Sequence, residues 1–96
     1  MARLIWTLQA VDDLENIYNY ISKDSIKYAR IQVVRIRDRV KILKKHPELG
    51  RVVPEIANIN IREVILGNYR IIYRLQSDKT IQLLTIHHSA KLLMID

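Results

Sequence analysis

Between residues 29 and 43, Ala29, Val33, Ile36, Val40 and Leu43 recur at intervals of four, three, four and three. That spacing puts all five on one stripe of an α-helix. A strand alternates faces every second residue and would split them between its two sides. Asp24 or Ser25 can cap this helix at its start, and Pro47 disfavours helical backbone at His46 and so ends it. Arg30, Arg35, Arg37, Arg39, Lys41, Lys44 and Lys45 fall between the apolar positions. The last of these lie in the final turns, where cations suit the helix dipole.

A long amphipathic helix needs a partner surface, and the flanking sequence supplies it. Val11, Leu14, Ile17, Tyr18 and Ile21 recur at helical spacing after Thr7, an N-cap residue. The polar break Ser22-Lys23-Asp24-Ser25 makes the two helices a hairpin. Arg3–Trp6 reads as a short strand before them, and residues 49–60, punctuated by Gly50 and Pro54, read as a loop after them. Three strands follow, at about Ile61–Leu66, Tyr69–Leu75 and Ile81–His87, separated by Gly67-Asn68 and Ser77-Asp78-Lys79. Ser89–Asp96 is expected to form a turn of helix or to fray. The order β-α-α-β-β-β predicts an α+β domain, with a two-helix hairpin packed on one face of a small, mainly antiparallel sheet.

Ninety-six residues allow one domain, spanning 1–96, with one modest core. With no cysteine, disulfide scaffolds and Cys-ligated zinc sites are excluded. No apolar run approaches the length of a membrane span, and residues 1–6 lack the apolar stretch of a signal peptide. An intracellular, cytoplasmic protein with no metal or cofactor is expected. The net charge of +6 is uneven: residues 23–51 carry ten basic side chains against three acidic ones, whereas residues 1–22 are net acidic and residues 52–96 nearly neutral. The excess suits either a solvated helix face or a footprint for nucleic acid or an acidic partner.

A simple two-residue turn at Gly67-Asn68 opposes Leu66 to Tyr69 and Ile65 to Arg70, with paired numbers summing to 135. Opposed residues share a face. Val64, Leu66, Tyr69, Ile71 and Tyr73 then form the core face, with Arg62 at its rim. Ile61, Glu63, Ile65, Arg70, Ile72 and Arg74 occupy the side away from the helices, where Glu63 can pair diagonally with an arginine. Arg70 and Arg74, roughly 13 Å apart along the strand, have the reach of neighbouring phosphates. The alternative is an ordinary exposed ion-pair surface. His87 and His88 point to opposite faces and are poor joint metal ligands. No nucleophile elbow, phosphate loop or His-Glu-x-x-His motif is present. The five Tyr and one Trp form no stacking row of the kind found on RNA-binding sheets.

Four segments in order carry a resemblance. Trp6 precedes a helix bearing Ala10-x-x-Asp13-Leu14-x-x-Ile17-x-x-Tyr20-Ile21. Leu49-Gly50-Arg51-x-x-Pro54-Glu55 follows, then Ile61-Arg62-Glu63 with Gly67-x-Tyr69-Arg70-Ile71-Ile72-Tyr73-Arg74, and last Ile86-x-His88-x-x-Lys91. Together they resemble the RelE/ParE superfamily of toxins from type II toxin–antitoxin modules. The resemblance implies a small basic toxin neutralised by a cognate antitoxin. It leaves two targets open: mRNA on the ribosome, cut by RelE-like members, and DNA gyrase, poisoned by ParE-like members.

Arg70 falls where the RelE-like catalytic arginine stands, which implies a role in stabilising charge on the scissile phosphate. The two lysines of the preceding strand in RelE-like enzymes fall on Ile61 and Glu63. The family's later arginine falls near Ser89, and no tyrosine follows Tyr73. Some relatives use a histidine and a glutamate as acid and base, for which His88 with Glu63 or Glu55 are the candidates. Arg35, Arg39, Arg51, Arg62, Arg74 and Lys91 are candidates for binding target or antitoxin. The Gly-Arg-x-x-Pro-Glu loop and the Ile-x-His-x-x-Lys ending look ParE-like. Three functions are consistent with these residues: a gyrase-directed toxin, a ribosome-dependent endoribonuclease, and an inactive antitoxin-binding scaffold.

Overall fold

A computed structural model of the chain describes residues 3–89 together with Leu93. Strand β1 (Leu4–Trp6) leads into helices α1 (Leu8–Ser22) and α2 (Ile26–Lys45), followed by β2 (Arg51–Val52), β3 (Ile61–Leu66), β4 (Tyr69–Leu75) and β5 (Ile81–His88). The five strands form one sheet in the order β1-β5-β4-β3-β2. β1 runs parallel to β5, and the other pairings are antiparallel.

Local chemistry sets the helix boundaries. The Thr7 and Ser25 hydroxyls accept the Ala10 and Tyr28 backbone N–H groups at 3.1 and 3.0 Å, satisfying donors that a helix start leaves orphaned. Thr7 also donates to the Leu83 and Leu84 carbonyls on β5, so the cap fixes the helix to the sheet. His46, before Pro47, closes α2 with φ −132° and ψ 70°, outside helical space.

Both helices cover one face of the sheet. Leu14, Ile36, Val40 and Leu43 pack there against Val64, Leu66, Ile71, Tyr73, Leu83 and Ile86. The expected stripes hold with two adjustments. On α1, Ala10 is fully buried and Val11 is 45% exposed, because the small side chain lets the helix sit close to the sheet. On α2, Gln32 is buried and Val33 is only half-buried.

The β3–β4 register is the one a two-residue turn dictates, from Leu66 opposite Tyr69 to Ile61 opposite Arg74. Gly67 has φ +57° in that turn, a conformation that costs a side-chain-bearing residue. Residues 49–60, read as loop, contain the two-residue strand β2, too short to show a period of its own. β5 reaches His88, one residue beyond expectation, and carries an irregularity opposite Ile72 and Tyr73. The face away from the helices is also more than an exposed charged surface. Val53, Ile61 and Ile72 form a second small buried cluster there, with Ile56, Leu84 and Leu93 packed against it.

Candidate functional site

The loop after α2 is built around Tyr73. This residue is fully buried in the helix-side core, and its hydroxyl donates to the Pro47 carbonyl at 2.8 Å and accepts the Gly50 N–H at 2.9 Å. Burial raises the Tyr73 pKa, so the phenol stays protonated as that arrangement requires. Gly50 has no room for a side chain: a Cβ would stand 2.6 Å from the Tyr73 hydroxyl and 2.8 Å from the Glu63 carbonyl oxygen. Arg62 ties the same loop from the other end, donating to the carbonyls of Ile59 and Gly50 at 3.1 Å and of Glu48 at 3.3 Å. Its guanidinium therefore holds backbone.

Held this way, the loop delivers Arg51 and Glu55 to the face away from the helices. Glu63 lies beneath them with its side chain fully buried. One of its carboxylate oxygens accepts Arg51 Nε at 2.8 Å and the other accepts Arg70 Nε at 2.5 Å. The terminal nitrogens of Arg70 take both oxygens of Glu55, at 2.6 and 2.8 Å, in the planar fork geometry that favours arginine–carboxylate pairs. Arg70 has 11% of its side chain exposed, against 48% for Glu55 and 65% for Arg51. The Arg70 hydrogen bonds hold the Glu55 carboxyl at a pKa of about 2. Glu55 and then Glu63 push the Arg70 pKa above its ordinary value, so its charge is permanent. Two arginines and two glutamates thus form one self-neutralising network.

The sequence candidates divide around it. Arg70, Glu63, Glu55 and Arg51 come together. His88 does not join them: it opposes Tyr69, with the rings edge to face at 5.4 Å on the helix side of the sheet. His87 is the histidine opposite Arg70. Arg74 is exposed and opposes Ile61, on the same face as Arg70 but away from its carboxylates. Arg35 is exposed on α2, and Arg39 donates to the Ile65 carbonyl at 3.3 Å. Lys91, like most of the 89–96 tail, lies outside the described residues.

Sequence reasoning left Arg51 out of the Glu63 pair because the pairing depends on β2, which sets Arg51 directly opposite Glu63. It also gave Asp13 no partner. Asp13 accepts the Thr85 hydroxyl and, at 3.0 Å, the Ile86 N–H, clipping α1 to β5 beyond the end of β1. Among the described residues no group of three or more His, Cys, Asp or Glu is placed to hold a metal ion, and no helix is long and apolar enough to cross a membrane.

Residues 4–93 match the family model of the ParE toxin of the parDE type II toxin–antitoxin system. The chain belongs to the ParE toxin family. Within the wider RelE/ParE superfamily it is 29% identical over 92 residues to Toxin RelE2 of Caulobacter vibrioides, covering 96% of this chain and all of that protein. It is 36% identical over 89 residues to a putative toxin, Y4kP, of Sinorhizobium fredii, covering 91% and 88% of the two chains. The fold matches a chain of the chromosomal ParDE system from P. aeruginosa with a TM-score of 0.75 and 28% identity, over 92% of this ParE-family chain and 96% of the other. A chain of the RelBE2 toxin–antitoxin complex from Mycobacterium tuberculosis matches with a TM-score of 0.65 at 18% identity, over 91% and 96%, a likeness of fold alone. The chain is thus a type II toxin of the RelE/ParE superfamily, with two helices on a five-stranded mixed sheet.

Proposed function

We propose that this toxin inhibits growth by binding DNA gyrase in the cytoplasm, without cutting RNA, and that a cognate antitoxin neutralises it. The observation that supports this reading is the state of Arg70. A guanidinium that stabilises a scissile phosphate must offer its donors and its charge to the phosphate oxygens. Here three of its N–H groups are already committed to Glu55 and Glu63. By the resemblance, the lysines of RelE-like enzymes fall on Ile61 and Glu63, and neither residue offers a cation to phosphate. His88 opposes Tyr69 on the other face of the sheet from Arg70, which supports a reading in which the two do not act on one bond.

The antitoxin half of the proposal has its own support. A cleft of about 400 Å3 opens between the start of α1 and the end of α2. Leu4, Trp6, Leu14 and Val40 give it apolar walls, and Arg37, Lys41 and Lys44 a cationic rim. That chemistry fits an acidic amphipathic segment.

The test is purified toxin added to gyrase supercoiling and cleavage assays at micromolar concentration, with and without the small acidic antitoxin expected from the neighbouring reading frame. Loss of supercoiling, or accumulation of cleaved DNA, reversed by the antitoxin, is expected. Normal supercoiling together with codon-phased mRNA cuts in translating ribosomes, lost in Arg70→Ala, overturns the reading in favour of a ribosome-dependent endoribonuclease. Similarity to a RelE-named relative over 96% of the chain makes that the second reading.

A further inference from the structure

The tyrosines form no row along the sheet, yet the fold gathers three of them at the closed end of the helix hairpin. A cleft of about 260 Å3 opens between α2 and the β3–β4 turn, lined by Tyr28, Gln32 and Arg35 from the helix and by Asn68 and Tyr69 from the turn. Its volume falls below the roughly 300–1,000 Å3 of sites that enclose drug-sized ligands, and so suits a smaller planar group. Tyr28 is 47% exposed, and Tyr69 is held at the edge of the core with His88 against its ring. Tyr20, 72% exposed, is near enough to add with Tyr28 to the upward shift that burial imposes on the Tyr69 pKa. Among the described residues, no carboxylate lines the cleft.

Tyr28, Gln32, Arg35 and Arg39 sit at i, i+4, i+7 and i+11 of α2, a single stripe. Arg35 and Arg39 therefore follow one another about 6 Å apart along the helix axis. Arg39 lies against β3 through the Ile65 carbonyl, so the track runs beside the sheet and not into open solvent. Aromatic rings that receive bases, next to cations that follow a phosphate backbone, are the two parts of a single-strand binding surface. Amides such as those of Gln32 and Asn68 offer both donors and acceptors to the edge of a base. A double helix keeps its bases stacked and presents none of this to a cleft.

We infer that this cleft binds one nucleotide unit of a single-stranded nucleic acid, the base against Tyr28 and Tyr69 and the adjoining phosphates on Arg35 and Arg39. The site is separate from the Arg70 network, and the inference does not depend on whether gyrase or the ribosome is the toxin's target.

The experiment is fluorescence anisotropy with the purified full chain and labelled 12-nucleotide single-stranded DNA, single-stranded RNA and duplex DNA, with AMP as competitor. Both single strands, or one of them, should bind more tightly than duplex. Tyr28→Ala should weaken that binding roughly 5- to 150-fold, the size of one base–aromatic stack. Arg35→Gln should lower the slope of log K against log salt by about 0.7, one phosphate contact. Arg30→Gln, on the opposite side of α2, removes the same charge and should leave that tyrosine-dependent affinity nearly unchanged. Displacement by AMP would mark a free nucleotide as a source of the same chemistry; failure of AMP to compete would assign the site to strands. Wild-type affinity in Tyr28→Ala, or equal losses in Arg30→Gln and Arg35→Gln, would sink the inference, leaving only diffuse electrostatic attraction. Circular dichroism of each variant separates loss of binding from loss of fold, because Tyr28, Arg30 and Arg35 are all exposed.

Discussion

The two faces of the sheet are held by different physics. On the helix side, a dozen buried apolar residues from both helices and from β3, β4 and β5 form a continuous core, and non-directional burial suffices. On the far side, three buried apolar residues lie beside four charged side chains that must meet in one geometry. The first face tolerates conservative exchange of one apolar group for another. The second depends on a carboxylate, Glu63, whose burial is affordable only while both arginines stay in place. The loop face is therefore where a single change has consequences out of proportion to the area it buries.

Single deletions on the two faces should cost about the same, and double replacements should tell them apart. Ile36→Ala, in the helix-side core, should destabilise by about 2–5 kcal/mol through lost burial and the cavity left behind. Glu63→Ala should cost about 3–5 kcal/mol, because it leaves Arg70 largely buried without its inner partner. Replacing the pair together, as Glu63→Met with Arg70→Met, should cost less than Glu63→Ala alone, since the charges left unpaired, Arg51 and Glu55, are exposed and no buried charge is stranded. Urea denaturation of these proteins, together with the single Glu63→Met and Arg70→Met variants, measures this. Strictly additive losses for the two charged residues would show that the network behaves like the apolar core. A smaller effect is expected where the two faces join. Gly50→Ala forces a Cβ against the Tyr73 hydroxyl and the Glu63 carbonyl, and should cost about 1–3 kcal/mol by displacing the loop that carries Arg51 and Glu55. Thermal melting that matched the wild type would mean that this loop moves aside without loss.

How legible each face was in the sequence follows the same division. The helix face rests on periodicity, and the spacing of Leu14, Ile36, Val40 and Leu43 announces it without knowledge of the partner surface. The pairing of β3 with β4 was legible too, because a two-residue turn fixes every later pair. That register sets Glu63 diagonal to both Arg70 and Arg74, and it is Arg70 that the folded chain pairs with it. Arg51 and Glu55 were out of reach as partners, since their positions depend on how a twelve-residue loop folds back, and Gly50, Tyr73 and Arg62 decide that through contacts distant in sequence. The histidines were hidden by one irregularity in β5: counting back from a regular ladder gives no way to tell which of His87 and His88 shares a face with Arg70. The aromatic cleft was hidden for a related reason, its two tyrosines coming from α2 and β4, and no local pattern links them.

The smallest effect sharpens the contrast most, because it concerns protons alone. In the folded protein the Glu55 carboxyl has a pKa of about 2, well below its ordinary value near 4.5. A depressed carboxylate contributes stability that is fully present above the unfolded pKa and is lost as pH falls through the folded one. The contribution of Glu55 should therefore be intact at pH 6, decline from about pH 5 and be gone near pH 2. Because Glu55 is half exposed, solvent and salt screen its pairing with Arg70, and the effect should be modest and weaker at high ionic strength. Glu55→Gln keeps the shape and removes the charge. The urea midpoint of the wild type should exceed that of Glu55→Gln at pH 6, and the gap should close towards pH 2. A gap that persisted unchanged at low pH would mean that Glu55 holds the loop by shape and hydrogen bonding, in which case the second face would be less different from the first than its charges suggest.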